Sequence, residues 1–261
     1  MSGPAKKRFG QHFLHDGQVI ARILHALDPR PGERIVEIGP GRGALTAPLL
    51  ERCGALDVVE IDRDVVAPLR AACGDAAGLR IHQADALKFD FAALAPAAGK
   101  LRLVGNLPYN ISTPLLFHLL EQSHAVQDMI FMLQKEVVDR MAAGPGEPDY
   151  GRLSVALAAR AEVNWLFHVG PGAFNPPPQV DSAVVRLVPR APDFEILDHR
   201  TFDRVLLAAF GQRRKQLGNS LRGMVGADQF AAAGIDPSLR AERLSAADFA
   251  RLANLIPARD R

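Results

Sequence analysis

The chain has 261 residues, of which 48% are hydrophobic and 23% charged, and these proportions are typical of one folded core with a small second unit. No apolar run approaches the ~20 residues that a membrane-spanning helix needs, and no signal-like apolar segment follows the N-terminus, so a cytoplasmic protein is expected. Only Cys53 and Cys73 are present, and the histidines are scattered, so the sequence predicts neither a disulfide framework nor a bound metal.

The net charge of +2 is distributed unevenly along the chain. Residues 1–8 carry three basic residues and no acid, residues 9–199 carry 17 basic and 23 acidic residues, and residues 200–261 carry 11 basic and 6 acidic residues. Basic ends on either side of an acidic body are typical of a protein that grips a polyanion outside its pocket. For any single cluster, such as residues 213–215, a solvated helix face is the alternative interpretation.

The predicted elements begin with a basic arm and an entry helix within residues 1–32. Strands and helices then alternate to about residue 141, as in a doubly wound, mostly parallel Rossmann-like sheet; strands are predicted at 34–36, 56–59, 80–83, 101–105 and 126–133. A loop at 144–148, a helix at 150–161 and strands near 163–169 and 182–188 follow, the last antiparallel. Beyond residue 190 the pattern is helical, with segments at 202–210, from Arg213, and near 228 and 248. We therefore predict a cofactor-binding catalytic domain at 1–190 and a helical RNA-binding domain at 191–261.

A glycine-rich turn with the sequence E-I-G-P-G-R-G follows the first predicted strand. Glycines such as Gly39 and Gly41 let a cofactor approach the backbone closely. Glu60 stands 21 residues beyond Gly39, at the end of the second strand, where a carboxylate can hold both hydroxyls of a ribose. NAD enzymes place an acid at the same spacing, but these glycines do not match G-x-G-x-x-G. The turn therefore favours S-adenosylmethionine, which has no pyrophosphate to seat on a helix N-terminus.

The third and fourth strand ends also carry polar residues. Asp85, followed by Ala86, could accept a hydrogen bond from the amino group of the cofactor's adenine, although a solvated loop aspartate is the alternative. The fourth strand ends in the sequence N-L-P-Y at residues 106–109, on a strand-to-helix loop of the kind that binds ligands in open α/β sheets. Four such strand ends in succession argue against coincidence.

The N-L-P-Y sequence suits a flipped adenine. The exocyclic N6 of adenine is a poor nucleophile, and hydrogen-bond acceptors such as the amide oxygen of Asn106 and the carbonyl of Leu107 favour its pyramidal form. Pro108 fixes the turn, and Tyr109 could stack on the base, a contact worth ~1–3 kcal/mol. The alternative is a plain turn with a capping asparagine and a core tyrosine. Phe174, in the proline-rich turn before the last strand, is predicted to cover the other face of the base, with an ordinary core position as its alternative.

The chain resembles the bacterial small-subunit ribosomal RNA adenine dimethyltransferases of the KsgA type over nearly its whole length. The resemblance rests on these motifs and on four further segments: KRFGQHFL at 7–14, DYGRLSV at 149–155, FNPPPQVDSAVVRL at 174–187 and RRKQLGNSL at 213–221. It implies transfer of two methyl groups to N6 of each of two adjacent adenosines in the 3′-terminal hairpin of small-subunit rRNA. One departure is His12, where many relatives have asparagine; a backbone contact would survive this change.

The resemblance also implies residue roles. His12 and Leu14 would close over the methionine end of the cofactor, Gly39 and Glu60 would bind its homocysteine and ribose regions, Asp85 its adenine, and Asn106 would lie beside the methyl group. The full candidate set for the cofactor is His12, Leu14, Gly39, Gly41, Glu60, Asp85, Ala86 and Asn106; that for catalysis is Asn106, Leu107, Pro108, Tyr109 and Phe174; that for RNA is Lys6, Lys7, Arg8, Arg152, Arg213, Arg214 and Lys215.

The expected partners are small-subunit rRNA and a late precursor of the small ribosomal subunit, bound by a monomer without a membrane. Three alternatives remain. A large-subunit rRNA adenine methyltransferase of the macrolide-resistance type has a similar sheet and loop, but the RRKQLGNSL run favours the small-subunit enzyme. A non-catalytic ribosome-assembly factor is opposed by intact Glu60, Asp85 and N-L-P-Y. A nucleotide-dependent oxidoreductase is opposed by the G-P-G-R-G turn and by the lack of a plausible acid or base at a hydride site.

Overall fold

The structure, a computed structural model, describes residues 12–74, 76–212 and 214–257. Its strands are β1 (Phe13–Leu14), β2 (Ile35–Ile38), β3 (Leu56–Glu60), β4 (Leu79–Gln83), β5 (Leu101–Asn106), β6 (Val126–Gln134), β7 (Ala161–Val169), β8 (Phe174–Asn175) and β9 (Ser182–Pro189). Its α-helices are α1 (Gly17–Leu27), α2 (Thr46–Cys53), α3 (Arg63–Ala72), α4 (Ser112–Glu121), α5 (Lys135–Ala142), α6 (Arg152–Ala158), α7 (His199–Phe210), α8 (Leu217–Ser220), α9 (Ala227–Ala233) and α10 (Ala246–Asn254).

In the described part of the chain, seven strands form one sheet in the order β4-β3-β2-β5-β6-β9-β7, and β1 pairs with β8 separately. The neighbours from β4 to β6 run parallel, whereas β9, the last strand in the chain, runs antiparallel to β6. This arrangement confirms the predicted Rossmann-like fold with an antiparallel last strand. Strand β2 is buried along its whole length, as expected for a strand covered on both faces.

The order of the strands reverses at β2. The chain passes outward from β2 to β3 and β4, and then returns to form β5 on the other side of β2. The loops that follow β2 and β5 therefore lead away in opposite directions and leave a crevice between them. Because β2 to β5 are parallel, their carboxyl ends, with the polar residues predicted to be functional, lie along one edge of the sheet.

Helix α1 shows how the sequence builds the layer that covers the sheet. Asp16 caps it by accepting hydrogen bonds from the backbone N–H groups of Gln18, at 2.8 Å, and Val19, at 3.1 Å. Its buried side chains recur at the helical period and join the core cluster that includes β2: Val19, Ile23, Leu24 and Leu27. Burial of each is worth about 1.5–3 kcal/mol. No helix among the described residues is long and apolar enough to cross a bilayer.

The chain divides into two compact units. One comprises residues up to Val138 together with Asn164–Pro189, and the other comprises Asp139–Val163 together with the residues from Arg190 onward. The predicted boundary near residue 190 assigned residues 139–163 to the first domain, whereas the structure groups them with the helices of the second. Within that second unit, the Tyr150 hydroxyl donates to the carbonyl of Leu244 at 2.7 Å, and its ring packs edge-on against Phe210. These contacts join Tyr150 to residues 60 or more positions away, which explains why residues 139–163 group with the second unit although local sequence does not reveal it.

Local predictions in the second unit were only partly right. The basic helix predicted from Arg213 is wrong: Arg213 lies outside the described residues, Arg214 and Lys215 lie in a turn, and α8 begins at Leu217. Gln216 itself is extended, because it forms a bridge with Arg240 and Leu217 donates to the carbonyl of Leu239. The predicted helix at 150–161 is shorter, because β7 begins at Ala161. Ser245 caps α10, and the Asp248 side chain accepts in return from the backbone N–H of Ser245.

A buried ion network joins β5, β6 and β9. Arg102 donates two hydrogen bonds to Asp128, at 2.7 and 2.9 Å, and Arg186 donates a third at 2.7 Å. Glu33 accepts another from Arg102 at 3.0 Å. Asp128 is only 1% exposed and Arg102 5%. The hydrogen bond from Arg102 to Asp128 holds the pKa of the guanidinium above its ordinary value. The network lies near the start of β5, far along the strand from Asn106.

We predict that Asp128→Ala destabilises the protein by about 3–5 kcal/mol, because it leaves two guanidinium groups without their buried carboxylate. Urea unfolding followed by circular dichroism measures this loss. A double variant with Arg102→Met and Asp128→Leu is the matched control, and it should lose less stability than Asp128→Ala because the buried Arg102 guanidinium is no longer left without its carboxylate, whereas Arg186 is partly exposed and can be hydrated. If Asp128→Ala loses under 1 kcal/mol, the network contributes little to folding.

Candidate active site

A cavity of about 220 Å³ opens at the crevice between β2 and β5. Its walls come from β1 and from the loops that follow β2, β3, β4 and β5. The structure brings together at this cavity the following predicted residues: His12, Leu14, Gly39, Gly41, Glu60, Asp85, Ala86, Asn106, Leu107, Pro108 and Tyr109. These include every predicted cofactor residue and every predicted catalytic residue except Phe174.

The glycine-rich turn after β2 forms the floor of the cavity. Gly39 and Gly41 have φ values of +68° and +52°, in the left-handed region that favours glycine. A Cβ atom at Gly41 would lie 3.2 Å from the Phe13 ring, and one at Gly39 would lie 3.7 Å from the carbonyl oxygen of Asn106. The turn is therefore in close contact with β1 and with the N-L-P-Y loop, and a larger residue at Gly41 would press on the strand that covers it.

Glu60 is a buried carboxylate at the end of β3. It is 8% exposed, and burial raises its pKa, although the backbone N–H of Asp62, which donates to Oε1 at 2.8 Å, opposes the rise. Its backbone carbonyl accepts from the N–H of Ala84 at 3.1 Å, which ties the end of β3 to the end of β4. The carboxylate is thus held in one orientation in the cavity wall, as recognition of a pair of hydroxyl groups requires.

Glu37, in β2, is a second buried acid in the cavity wall, and the sequence analysis assigned it no role. It is 2% exposed, and its Oε2 accepts a hydrogen bond from the Thr46 hydroxyl at 2.6 Å. Burial raises its pKa to about 8, and the nearby charge of Glu60 acts in the same direction. The signal in the sequence was the acid itself, because a charged residue inside an otherwise apolar strand is seldom structural without a partner.

The orientation of the Asn106 amide follows from its hydrogen bond. Its Nδ2 donates to the backbone carbonyl of His12 at 3.0 Å. Because a carbonyl can only accept, the nitrogen must face His12, and the amide oxygen is left as the acceptor on the other side. Asn106 lines the cavity, and its amide oxygen is available there as an acceptor.

The other three residues of the N-L-P-Y loop hold it in place. Leu107 is 1% exposed, and its N–H donates to the carbonyl of Met132 at 3.1 Å, so its side chain serves packing. Pro108 accepts from the N–H of Ile111 as the chain turns into α4. The Tyr109 hydroxyl lies 2.6 Å from the Ser182 hydroxyl; burial raises the pKa of Tyr109, and the hydrogen bond only partly opposes this. The ring of Tyr109 is therefore fixed at its tip and stays neutral at physiological pH.

Phe174 does not reach the cavity. It is 2% exposed and belongs to the core cluster, because the pairing of β1 with β8 sets Leu14 opposite it. Phe174 therefore does not line the cavity with Tyr109, and it would have to change position to touch a base there.

The predicted RNA-binding residues lie apart from one another. Lys6, Lys7, Arg8 and Arg213 fall outside the described residues. Arg152 begins α6, whereas Arg214 and Lys215 are exposed in the turn before α8. Their role in RNA binding stays a prediction.

The residues of the cavity fit S-adenosylmethionine. The close approach at Gly41 and the left-handed turn leave backbone rather than side chains on the floor, and Glu60 and Asp85 supply acceptors at successive strand ends. Asp85 itself is held by the N–H of Leu87, which donates to its Oδ1 at 3.0 Å. Among the described residues, no group of three histidine, cysteine, aspartate or glutamate side chains is placed to hold a metal ion.

Comparisons with known proteins agree with this geometry. The family model described as ribosomal RNA adenine dimethylase matches residues 4–257. A relative from Xanthomonas campestris pv. campestris, ribosomal RNA small subunit methyltransferase A, is 59% identical over 97% of both chains. Its namesake from Xanthomonas oryzae pv. oryzae is 58% identical over 98% of both chains.

Solved structures show the same fold. The structure of a dimethyladenosine transferase from Plasmodium falciparum has a TM-score of 0.77 and 25% identity, with 92% of this chain and 96% of that chain covered. The structure of the 23S rRNA methyltransferase ErmE has a TM-score of 0.69 over 93% of this chain and 98% of that one. The second match is 24% identical and therefore shows the fold alone.

We predict that Glu37 makes stability depend on pH. Between its ordinary pKa of 4.5 and its folded value of about 8, the folded protein holds a proton that the unfolded chain has released. Stability should therefore fall as pH rises through this window, by at most about 1.4 kcal/mol per pH unit, and level off above it.

Glu37→Gln keeps the acceptor for Thr46 and removes the titration, so it is the matched control. The quantity to measure is the difference in unfolding free energy between wild type and variant, from urea titrations at pH 5 to 9. A difference that does not change with pH would show that Glu37 does not titrate in this window.

Proposed function

The chain belongs to the ribosomal RNA adenine dimethylase family, and we propose that it dimethylates N6 of two adjacent adenosines in the 3′-terminal hairpin of small-subunit rRNA. It is an S-adenosylmethionine-dependent rRNA adenine dimethyltransferase. We further propose that its substrate is a late precursor of the small ribosomal subunit. Relatives named for the small subunit, at 58–59% identity, support it over the large-subunit alternative.

The observation that carries the proposal is the direction of the Asn106 amide. Its nitrogen is bound to the carbonyl of His12, so its oxygen is the atom that can accept a hydrogen from N6. This interaction strengthens as positive charge develops on N6 during methyl transfer. Because the amide is oriented before substrate arrives, it needs no reorganisation as the transition state forms.

S-adenosylmethionine, when bound, supplies an electrophilic methyl group on a sulfonium. We assign Glu60 to its ribose, Asp85 and Ala86 to its adenine, and the backbone of the glycine-rich turn to its homocysteine region. Leu14 of β1 and the backbone of His12 just before it would cover the methionine end. All of these residues line one cavity with Asn106, which supports a single site for cofactor and base.

Tyr109 is assigned to the target base. Its ring is held at the tip by Ser182, so a flipped adenine would meet an aromatic group that is already in place. The basic residues near the ends of the chain are assigned to RNA outside the pocket. Arg214 and Lys215 support this assignment because they are exposed beside Gln212 and Gln216, whose amides suit phosphate or sugar.

We predict that Asn106→Ala lowers the rate of methyl transfer by roughly 10²-fold or more, the scale for losing one preorganised electrostatic contact. Tyr109→Ala should also slow transfer, whereas Tyr109→Phe should keep most of the rate because stacking needs the ring. Tyr109→Phe should still cost about 1 kcal/mol of stability, because it leaves the buried Ser182 hydroxyl without its partner. The measurement is single-turnover transfer on immature small subunits at saturating S-adenosylmethionine.

Gln127→Ala is the control, because it removes an exposed side-chain amide in β6 that does not line the cavity and should leave the rate near wild type. Affinities for cofactor and subunit are measured separately for each variant. Near-wild-type rates in both Asn106→Ala and Tyr109→Ala would remove this loop from the active site. Mass analysis of the treated rRNA reads the modified nucleotides and the methyl count, and methylation at a single adenosine or in the large subunit would overturn the proposed substrate.

We predict that replacing Arg213, Arg214 and Lys215 together with alanine weakens subunit binding and lowers the slope of log affinity against log salt concentration. Each lost phosphate contact should reduce the slope by about 0.7–0.9. Affinity for S-adenosylmethionine should not change. Arg30→Ala is the control, since that guanidinium is already paired with Asp28 at 2.8 Å. Equal slopes for wild type and the triple variant would make the cluster a solvated face.

A further inference from the structure

The side chain of His12 makes two contacts that cofactor binding does not explain. Its ring stacks on the ring of Tyr109, with centroids 5.6 Å apart and planes inclined by 27°. Its Nδ1 lies 2.9 Å from the carbonyl oxygen of Pro176, and because that oxygen only accepts, Nδ1 carries the proton and donates. The imidazole therefore touches the N-L-P-Y loop on one side and the segment between β8 and β9 on the other.

These two contacts join parts of the chain that are remote in sequence. The carbonyl of Pro176 is 164 positions from His12, and the backbone carbonyl of His12 itself accepts from Asn106, 94 positions away. Ser182, which holds the hydroxyl of Tyr109, begins β9 on the same proline-rich segment. Tyr109 is thus held at two points, its hydroxyl by Ser182 and its ring face by His12.

We propose that the His12 imidazole is a positioning residue for the target base, which fixes the plane of the Tyr109 ring and ties it to the Pro176 segment before the adenine enters. This inference rests on the proposed placement of the adenine at Tyr109. A hydrogen bond at the hydroxyl fixes the tip of a tyrosine ring but not the rotation of its plane about the Cβ–Cγ axis, and a second contact on the face of the ring restricts that rotation. Because the ring is already restricted, stacking of the base costs less conformational entropy, and the base reaches a reactive geometry more often.

The role of the His12 side chain can be tested separately, because Asn106 is bonded to the main chain of His12 and not to its ring. The bond from Asn106 to the carbonyl of His12 is present whatever side chain stands at position 12, so a substitution there changes the ring contacts and leaves the orientation of Asn106. His12→Ala removes both ring contacts. His12→Phe keeps a ring against Tyr109 and loses only the bond to Pro176, and so serves as the rescue variant.

The experiment is single-turnover methyl transfer on immature small subunits, for both variants in the wild-type and the Tyr109→Leu backgrounds. We expect His12→Ala to slow transfer about tenfold in the wild-type background, with the half-saturating subunit concentration and the affinity for S-adenosylmethionine changed less than about twofold. His12→Phe should recover most of the loss. In the Tyr109→Leu background, His12→Ala should have little further effect, because the ring that it positions is gone.

The outcomes separate this inference from the proposed function. If Asn106→Ala and Tyr109→Leu are slow but His12→Ala transfers at the wild-type rate, the positioning role is overturned and the site stands. The positioning role is equally overturned if His12→Ala has the same effect in both backgrounds, or if His12→Phe is no faster than His12→Ala. If Asn106→Ala and Tyr109→Leu themselves are unimpaired, the placement of the base fails. Should His12→Ala not fold, as judged by circular dichroism, His12→Asn replaces it in the same comparisons.

Discussion

The reversal of strand order at β2 is the constraint on which the rest of the site depends. It makes the loops after β2 and β5 run in opposite directions from the sheet, while their first residues stay in contact. The 3.7 Å approach between a Cβ position at Gly39 and the carbonyl of Asn106 measures that contact. The loop that suits a cofactor and the loop that suits a base therefore meet at one point because the topology brings them there.

The sequence predicted the residues at the carboxyl ends of the strands, but not the pairing of β1 with β8 that covers the site. Residues such as Gly39, Glu60 and Asn106 stand at strand ends, and local patterns locate strand ends well. The pairing of β1 with β8 escaped prediction because each strand has two residues and the partners are about 160 positions apart, so no local periodicity marks them. That pairing buries Phe174, which is why Phe174 does not line the cavity as predicted.

The same distinction explains the errors in the second unit. The run at residues 213–216 contains good helix formers, and propensity alone predicts a helix there. A bridge between Gln216 and Arg240 instead keeps Gln216 extended, and this bridge is a contact between distant segments. Residues 139–163 join the second unit for a similar reason, since Tyr150 is bonded to Leu244. Where a tertiary contact competes with a local preference, the sequence of the segment does not reveal the result.

The buried acids of the sheet fall into two groups, those that are ion-paired within the protein and those that are not. Asp57 and Asp128 are as buried as Glu37 and Glu60, but each is surrounded by guanidinium groups. Although burial opposes it, the hydrogen bonds from Arg80 and His82 lower the pKa of Asp57, so that its charge is satisfied within the protein. Among the described residues, neither Glu37 nor Glu60 has an ion-pair partner, and burial raises the pKa of both. A buried acid without an ion-pair partner weakens the folded state, and acids perturbed in this way cluster at ligand sites. Both acids line the cavity that fits a cationic cofactor, and this placement supports the assignment of the site to the carboxyl edge of the sheet.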